Sequence, residues 1–509
     1  MAKRNGGIIG PDNVPAGPLG AAGGVWRLED AFNAQKAGTW PVVLGYQIPN
    51  SCRFNSGSTD YLQRTPASAG SLTTWTYSFW TKRSKLATAE QYLSAGPRSS
   101  PNVEDQIYSI STDAISWYDG TANATVLRTT QLFRDVSAWY HLMFVWDTTN
   151  ATAGNRARIY VNGTEVTSFS IDNNPSQNAV SKINGTGQHR IGQTGTVAGE
   201  NLDGYLAEVI FIDGQALTPS SFGETDATTG IWIPKAYTGS FGTNGFYLNF
   251  ANSGDLGNDV SGNNNDWTVN GLTSIDQSYD SPTNNFNTLN TLIPLGSNFS
   301  APTEGNLSLS QSGTGNSGFY ASTIIPSAGK WYFEVKTTTV SSSDRTNIGI
   351  ANFESVTGTN SIEAGDYKGI SVSTGTTGRI SVTNGATTTE FDVAGYVPVA
   401  NDIMMFAVDM DNSRVYIGKN GTWFTTAAAS GGNPATSTGY FSPVLGNGFA
   451  VGAGHGAGVS ASATNLYNFG YPPFTISSGN ADANGFGNFE YAVPSGYYAL
   501  CSKNLALYG

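Results

Sequence analysis

Charge is what this sequence has least of. Charged residues fill 12% of its 509 positions, about half the usual share of roughly 25%. With 25 Lys and Arg against 37 Asp and Glu, for a net charge of −12, the chain has no basic cluster. That excludes a counterion-release grip on nucleic acid or an anionic membrane. Cysteine is nearly missing too: Cys52 and Cys501 lie near opposite ends of the chain. Two such residues exclude a CxxC-type metal site and a disulfide-stapled design; they could pair only if the termini meet, and they read rather as buried free thiols. No apolar run approaches the ~18 residues of a membrane helix. The N-terminal MAKRNGGIIG lacks the apolar stretch of a secretory signal. The expectation is a chain made in a cytoplasm, without membrane insertion. Good helix formers (Leu, Glu, Lys, Arg) are scarce, which argues against a helical fold.

Glycine (62 residues), Ser, Thr and Asn take their place, and aromatics reach 12%. This mixture predicts an all-β protein of short strands joined by Gly- and Asn-rich turns. The stretch DMDNSRVYIGKNGTWF (409–424) is a test case. As a phosphate loop it fails, because position 413 is Ser413 where a Gly is needed and Asn420 stands where a Ser or Thr must follow Lys419. As a hairpin it works: Val415 and Ile417 alternate with Arg414 and Tyr416, and Asn420-Gly421 is the favoured pair for a type I′ turn. Asn162-Gly163, inside RARIYVNGTEV (156–166), repeats the device.

The pattern divides the chain into four parts. Residues 1–47 are Gly/Pro/Ala-rich, with a short amphipathic helix in GVWRLEDAFNAQKAGTWP (24–41), and read as an N-terminal anchor. From 48 to 235, TWTYSFWTKRS, DQIYSIS, AISWYDG, WYHLMFVWD, RARIYV, HRIGQ and DGYLAEVIFIDGQAL read as strands at sandwich spacing. Residues 236–300 are turn-rich with sparse apolar residues and read as a connector, or as a hairpin that packs on the first sandwich. From 301 to 509 strands return, among them GKWYFEVKT, TNIGIAN, YKGISVS, GRISVTN, NDIMMFAVD, RVYIGK, YFSPVLG and TNLYNFG. The fold class expected is two antiparallel β-sandwiches. WYHLMFVW is apolar on both alternating sets, so both of its faces need cover. Either the connector or a second copy of the chain can supply it.

These segments carry resemblances. YSFWTKRS, WYHLMFVWD, RIYVNGTEV and LDGYLAEVIFIDGQALTPSSF resemble the concanavalin A-like, laminin-G type fold over about 170 residues. GKWYFEV, NIGI and NDIMMFAVDMDNSRVYIGKNGTW resemble the SPRY sandwich over about 180. The whole arrangement, with GTNGFYLNFANSGDLGNDVSGNNNDWTVN, DSPTNNF and the closing GYYALCSKNLA, resembles virion structural proteins of tailed phages, those of marine and cyanobacterial phages foremost. That resemblance implies a component of the virion surface, a tail fibre or capsid-exterior fibre, recognising host-surface glycans or proteins and joined to other virion proteins through residues 1–47. The alternative is a purely structural capsid decoration or tail protein. A polysaccharide depolymerase is disfavoured. Fibre-like proteins are usually cyclic assemblies, so a homotrimer is expected.

Candidate site residues follow. A glycan site needs an aromatic to stack on a sugar and short polar neighbours. SWYDGTANA (116–124) offers Trp117, Tyr118, Asp119 and Asn123, although Trp117 also suits a core position. The laminin-G resemblance implies a calcium ion at one rim, with Asp147 and Asp203 as ligands by position; turn aspartates more often cap backbone. No other cofactor is expected. Glucanases of this fold carry a Glu-x-Asp-x-x-Glu strand, which this chain lacks. Its nearest approach, Glu208 and Asp213, puts the two acids on opposite faces. His141, His189 and His455 have no Ser or Cys motif beside them. No enzymatic activity is expected.

Overall fold

A computed structural model describes residues 45–96, 103–194, 200–227, 229–292, 299–314, 317–340, 346–352, 368–373, 379–385, 387–392, 397–426, 430–455 and 460–509. The expected anchor helix over 24–41 lies outside them. The described chain is all-β, with one short α-helix at its end, Ser502–Tyr508. Residues 220–237 belong to a separate compact unit. Within it Gly223–Thr225 pairs with Trp232–Pro234, and Phe222 stacks on Tyr237.

The first sandwich has two eight-stranded sheets. One runs Thr164–Glu165, Ala157–Val161, Trp139–Asp147, Thr74–Arg83, Gly204–Asp213, Ser51–Phe54 and Gln277–Ser278, with Phe246–Leu248 beside Gly204–Asp213. The other runs Phe169–Asp172, Ala124–Leu132, Ala114–Asp119, Asp105–Ser109, Glu90–Ala95, His189–Ile191, Tyr61–Arg64 and Thr268–Asn270. Strand alternation turns Trp75, Phe144, Trp146, Trp117 and Leu127 into the space between them. Trp75 and Trp117 are 5.3 Å apart at their ring centres, and Trp117 and Trp146 are 5.5 Å apart. Each buried indole removes about 150–250 Å² from water, on the order of 5 kcal/mol of transfer free energy. Asn162 and Gly163 both hold positive φ, +47° and +78°, as a type I′ turn requires.

Two expectations need correction here. The supposed connector is woven into the first sandwich: Phe246–Leu248, Thr268–Asn270 and Gln277–Ser278 are strands of its two sheets. Its polar composition hid this because one carboxylate organises the turn. Asp259 accepts hydrogen bonds from the backbone N–H groups of Tyr247, Ser261 and Asn265 at 2.8, 2.9 and 2.8 Å. The second face of Trp139–Asp147 needs no second copy either. His141, Met143 and Val145 on that face are all 0% exposed within one chain, so the sequence hint for a trimer falls away.

The second sandwich has a sheet of Ser308–Thr314, Ser460–Asn468, Lys330–Val340, Ile403–Asp409, Arg414–Lys419 and Thr422–Trp423, joined in parallel by Tyr498–Ala499 at Trp331 and Tyr332. Its facing sheet runs Ser317–Ile324, Phe449–His455, Thr346–Asn352, Lys368–Ser373, Arg379–Asn384 and Thr387–Asp392. Asn420 and Gly421 form the expected turn at φ +48° and +83°. YFSPVLG (440–446) forms no strand, only a single bridge from Phe441 to Val415; Pro443 has no N–H to give a ladder.

A buried joint ties the sandwiches together. Lys82 of the first reaches Asp280 at 2.8 Å, Asn285 Oδ1 at 2.8 Å and the Phe286 carbonyl at 3.1 Å. Asp280 also accepts from Trp139 Nε1. Just beyond, Phe286 and Leu289 enter the core of the second sandwich, where Tyr205 of the first also packs. Cys52 and Cys501 are buried free thiols.

Candidate functional site

The strand Ala114–Asp119 decides the fate of the predicted glycan residues, because successive side chains leave opposite faces of the sheet. Trp117 points inward and is 1% exposed, packed on Trp75, Phe144 and Trp146. It has no open face for a sugar, which corrects its assignment. Asp119 ends the strand, buried, with Oδ1 accepting from the N–H groups of Thr121 and Ala122 at 2.7 and 3.1 Å. It shapes the turn and is not available to a ligand. Gly120 is required there: a Cβ would lie 2.5 Å from the Glu104 carbonyl. Asn123 sits at φ +53°, and the Tyr118 hydroxyl donates to its Oδ1.

Tyr118 and Asn123 are thus brought together on the outer face, and two residues that sequence reasoning missed join them. Tyr108 lies opposite Ser116, and Ser116 lies opposite Arg128. All three share the face of Tyr118. The two tyrosines are diagonal neighbours, a spacing of about 7–8 Å. Burial, then the neighbouring Tyr108 and Asp119, push the Tyr118 phenol upward. Arg128 bonds Ser116 Oγ through Nε at 3.4 Å, which leaves its two terminal nitrogens directed at no protein group among the described residues. Both tyrosines and Arg128 are partly exposed. The signal for Tyr108 was present in the alternation of DQIYSIS, where Ile107 goes in and Tyr108 out.

Beside it, three outward side chains are already taken up. Gln91 Nε2 donates to Glu200 at 3.0 Å, Ser94 Oγ to the Gln193 carbonyl at 2.9 Å, and Arg190 to the Thr194 carbonyl at 3.3 Å. Arg190 also stacks on Tyr61 at 4.5 Å. An open polar-aromatic patch of Tyr108, Tyr118, Asn123 and Arg128, floored by the buried Ser116, therefore adjoins a covered one. It offers two phenol rings, an amide and a guanidinium, the groups that stack on sugar rings and bond their hydroxyls or acids.

The calcium pair does not assemble. Asp147 pairs with Thr74 at one end of the strand Thr74–Arg83, and Gly204, next to Asp203, pairs with Arg83 at the other. Nine residue steps separate them, about 30 Å. Asp147 accepts from Thr149 Oγ1 at 2.6 Å. Asp203 accepts from Ser56 and faces Lys85 at 3.5 Å. They cannot share an ion. Among the described residues no group of three or more His, Cys, Asp or Glu side chains is placed to hold a metal.

The remaining titratable candidates are structural. Glu208 accepts from the Tyr247 hydroxyl at 2.6 Å. Asp213 takes Ser71 N–H at 2.8 Å, Asn184 Nδ2 at 2.6 Å and Asn244 N–H at 3.1 Å. His189 Nε2 accepts from the Asn184 N–H at 2.9 Å, so its proton sits on Nδ1, which donates to the Gly187 carbonyl. Burial holds it at about 4. His141 is buried against Ser78 at 2.8 Å and held at about 3. The side chain of His455 lies outside the described residues.

Residues 56–222 match the family described as the concanavalin A-like lectin/glucanases superfamily. The matched span omits Ser51–Phe54 and the three strands between 246 and 278 that complete the sandwich. No curated protein matches the chain in sequence. Solved structures similar to it include the mouse laminin alpha1 chain, domains LG4-5, at 10% identity, covering 81% of this chain and 88% of that one with a TM-score of 0.27. The SPRY domain of human HERC1 is 12% identical, with 32% and 87% covered and a TM-score of 0.24. The Ruminococcus gnavus IT-sialidase CBM40 bound to alpha2,3 sialyllactose is 13% identical, with 32% and 85% covered and a TM-score of 0.21. Likenesses this distant carry nothing about function. The chain is all-β, and its first sandwich is of the concanavalin A-like, laminin-G type.

Proposed function

We propose that the first sandwich binds glycans through the open outer face around Tyr108 and Tyr118. The observation that carries this reading is a patch of exposed and partly exposed aromatic and polar side chains whose only described hydrogen bonds, Tyr118 to Asn123 and Arg128 to Ser116, stay within the patch and its floor. The similarity of residues 56–222 to a lectin-containing superfamily supports it. Arg128 adds the only cation of the patch and favours sugars bearing a carboxylate. A glycan array followed by calorimetry tests the reading. Tyr118→Ala and Tyr108→Ala should each weaken the best hit at least tenfold with the melting temperature unchanged. An array without hits, or affinity unmoved by both variants, removes the proposal.

The finer reading places this module on the outside of a tailed-phage virion, as a fibre or decoration, with residues 1–47 attaching it to other virion proteins. Its support is the resemblance of the segments quoted above to phage structural proteins. Mass spectrometry of purified particles should find the chain in the virion, and a chain lacking residues 1–45 should fold but stay out of it. Normal incorporation would defeat the attachment role. Binding without hydrolysis is part of the same proposal, since Glu208 and Asp213 are each committed to structural hydrogen bonds. Incubation with host-surface polysaccharide should leave its length unchanged, and steady shortening by the pure protein would reverse that.

A further inference from the structure

A cleft of about 270 Å³ lies where the first sandwich's strand Gln277–Ser278 meets residues 471–476 of the second. One wall carries Ser253, Ser274 and Tyr279; the other carries Phe474 and Thr475, with Asn488 beside them. Three observations set it apart from an accidental gap. First, its walls are braced from below by one buried side chain. Arg53, 1% exposed, donates to the Ile275 carbonyl of one wall at 3.2 Å and to the Pro472 carbonyl of the other at 3.5 Å. Its charge is answered by Asp276 at 3.4 Å and Glu304 at 3.6 Å. Second, no residue lining the cleft is charged. Third, most of its polar side chains are unspent: Gln277 and Tyr471 are bonded to backbone carbonyls, but Ser253, Ser274, Tyr279, Thr475 and Asn488 make no side-chain hydrogen bond among the described residues.

Tyr279 is the feature hardest to explain by folding. It is 45% exposed, yet its backbone is fixed, because the next residue is Asp280, fully buried and held by Lys82. Gln277, two residues back, is pinned by hydrogen bonds to the carbonyls of Phe250 and Ala251 at 2.7 and 2.9 Å. A phenol ring is thereby held out at the lip of a rigid cleft, with hydroxyl and amide groups on the opposite side.

We propose that this cleft is a second, independent saccharide site, taking one uncharged sugar ring. An aromatic lip presents a face for sugar C–H groups, and Ser, Thr and Asn side chains supply both donors and acceptors for hydroxyls. The lack of charge selects against acidic sugars. The volume, about 270 Å³, falls just below that of small-molecule sites, roughly 300–1,000 Å³, which suits one ring and leaves no room for a folded peptide. Preorganisation by Arg53 and Asp280 keeps the ordering cost of binding low. The site exists only because the two sandwiches are joined, so neither would show it alone.

Saturation-transfer NMR on the intact chain tests this with methyl glucoside, methyl galactoside and N-acetylglucosamine as probes and N-acetylneuraminic acid as the charged control. At least one neutral probe should receive transfer, and the control should not compete with it. Tyr279→Ala should reduce that transfer at least tenfold, and Ser253→Trp, which fills the cleft, should do the same. Tyr118→Ala should leave it unchanged, which separates this site from the outer face of the first sandwich. No transfer to any neutral probe, or equal transfer in wild type and Tyr279→Ala, overturns the cleft site whatever the fate of the outer-face patch.

Discussion

The second sandwich roofs the outer face of its Lys330–Val340 sheet, whereas the first leaves part of the Ala114–Asp119 sheet uncovered. In the second, Tyr332 and Glu334 point outward but are 0% exposed. The roof is the chain's own closing segment. Glu334 accepts from the N–H groups of Glu490 and Tyr491 at 3.0 and 2.9 Å, from Asn468 at 3.1 Å and from the Tyr332 hydroxyl at 2.9 Å. Phe489 packs edge-on against Tyr332 at 5.0 Å. In the first, Gln91, Ser94 and Arg190 are spent in the same way on Glu200, Gln193 and Thr194, but Tyr108, Tyr118 and Arg128 remain. Polar groups that a fold needs are consumed by hydrogen bonds. Those left over on a rigid sheet are where binding is to be sought.

The joint between the sandwiches is the sharpest place to break this comparison. Replacing Lys82 by Met leaves Asp280 buried and unpaired, at a cost of roughly 3–5 kcal/mol. Chemical denaturation should then show two steps where the wild type shows one; a single unshifted transition would mean the joint is dispensable. Next in size is the roof. Glu334→Ala removes the shared acceptor of four buried or half-buried donors, and about 3 kcal/mol of stability should go with it. Tryptophan fluorescence and proteolysis should place the damage in the second sandwich, with the closing segment cleaved first.

Acid should weaken the first sandwich in a defined window. His189 and His141 titrate below their ordinary value near 6.5, because burial disfavours the charged ring. A depressed histidine contributes stability that is complete above pH 6.5 and is lost as pH falls toward 4. For His189 the contribution at stake is on the order of 3 kcal/mol at the acid end. Burial raises Glu90 to about 7, which acts in the opposite sense, so the measurement is a difference. The stability gap between wild type and His189→Gln should change between pH 7 and 4.5; identical pH slopes would refute a depressed His189.

The hairpins should behave alike in both sandwiches. Asn162 and Asn420 each hold positive φ, so Asn162→Ala and Asn420→Ala should each cost about 1 kcal/mol. A large disparity would mean that tertiary contacts, and not the turns, fix these registers. Smallest of all, Tyr118→Ala should change stability by less than about 0.5 kcal/mol, since its hydrogen bond to Asn123 is at the surface. A larger loss would turn the candidate site back into a folding element.

How far the sequence could be read varied with the range of the forces involved. Asn162-Gly163 and Asn420-Gly421 were legible because a type I′ turn is a local demand for two positive φ angles. The strands Thr74–Arg83 and Lys330–Val340 were legible because alternating apolar residues bury themselves whatever lies opposite. Several strands escaped notice, Ser51–Phe54, Glu90–Ala95 and Ser308–Thr314 among them, and two of them show why. Phe449–His455 reads FAVGAGH, and its glycines suggest a loop, yet it is paired on both sides by Ser317–Ile324 and Thr346–Asn352. Ala124–Leu132 is rich in Thr, Arg and Gln, and ladder partners on both sides hold it in the sheet.

The sequence alone therefore determined the class of fold, the turns, the free thiols and the lack of a basic surface, because each follows from composition or from residues a few positions apart. Only the tertiary structure decided which side chains were left for a ligand. Trp117 and Tyr118 are adjacent in the chain, and a strand sends adjacent side chains to opposite faces. The sheet packed against Trp117 made one of them core and the other surface. Asp147 and Asp203 looked like a pair until the register of Thr74–Arg83 put a whole strand between them. The cleft at Tyr279 has no sequence signature at all, since its walls lie about 200 residues apart and meet only where Arg53 and Lys82 are buried.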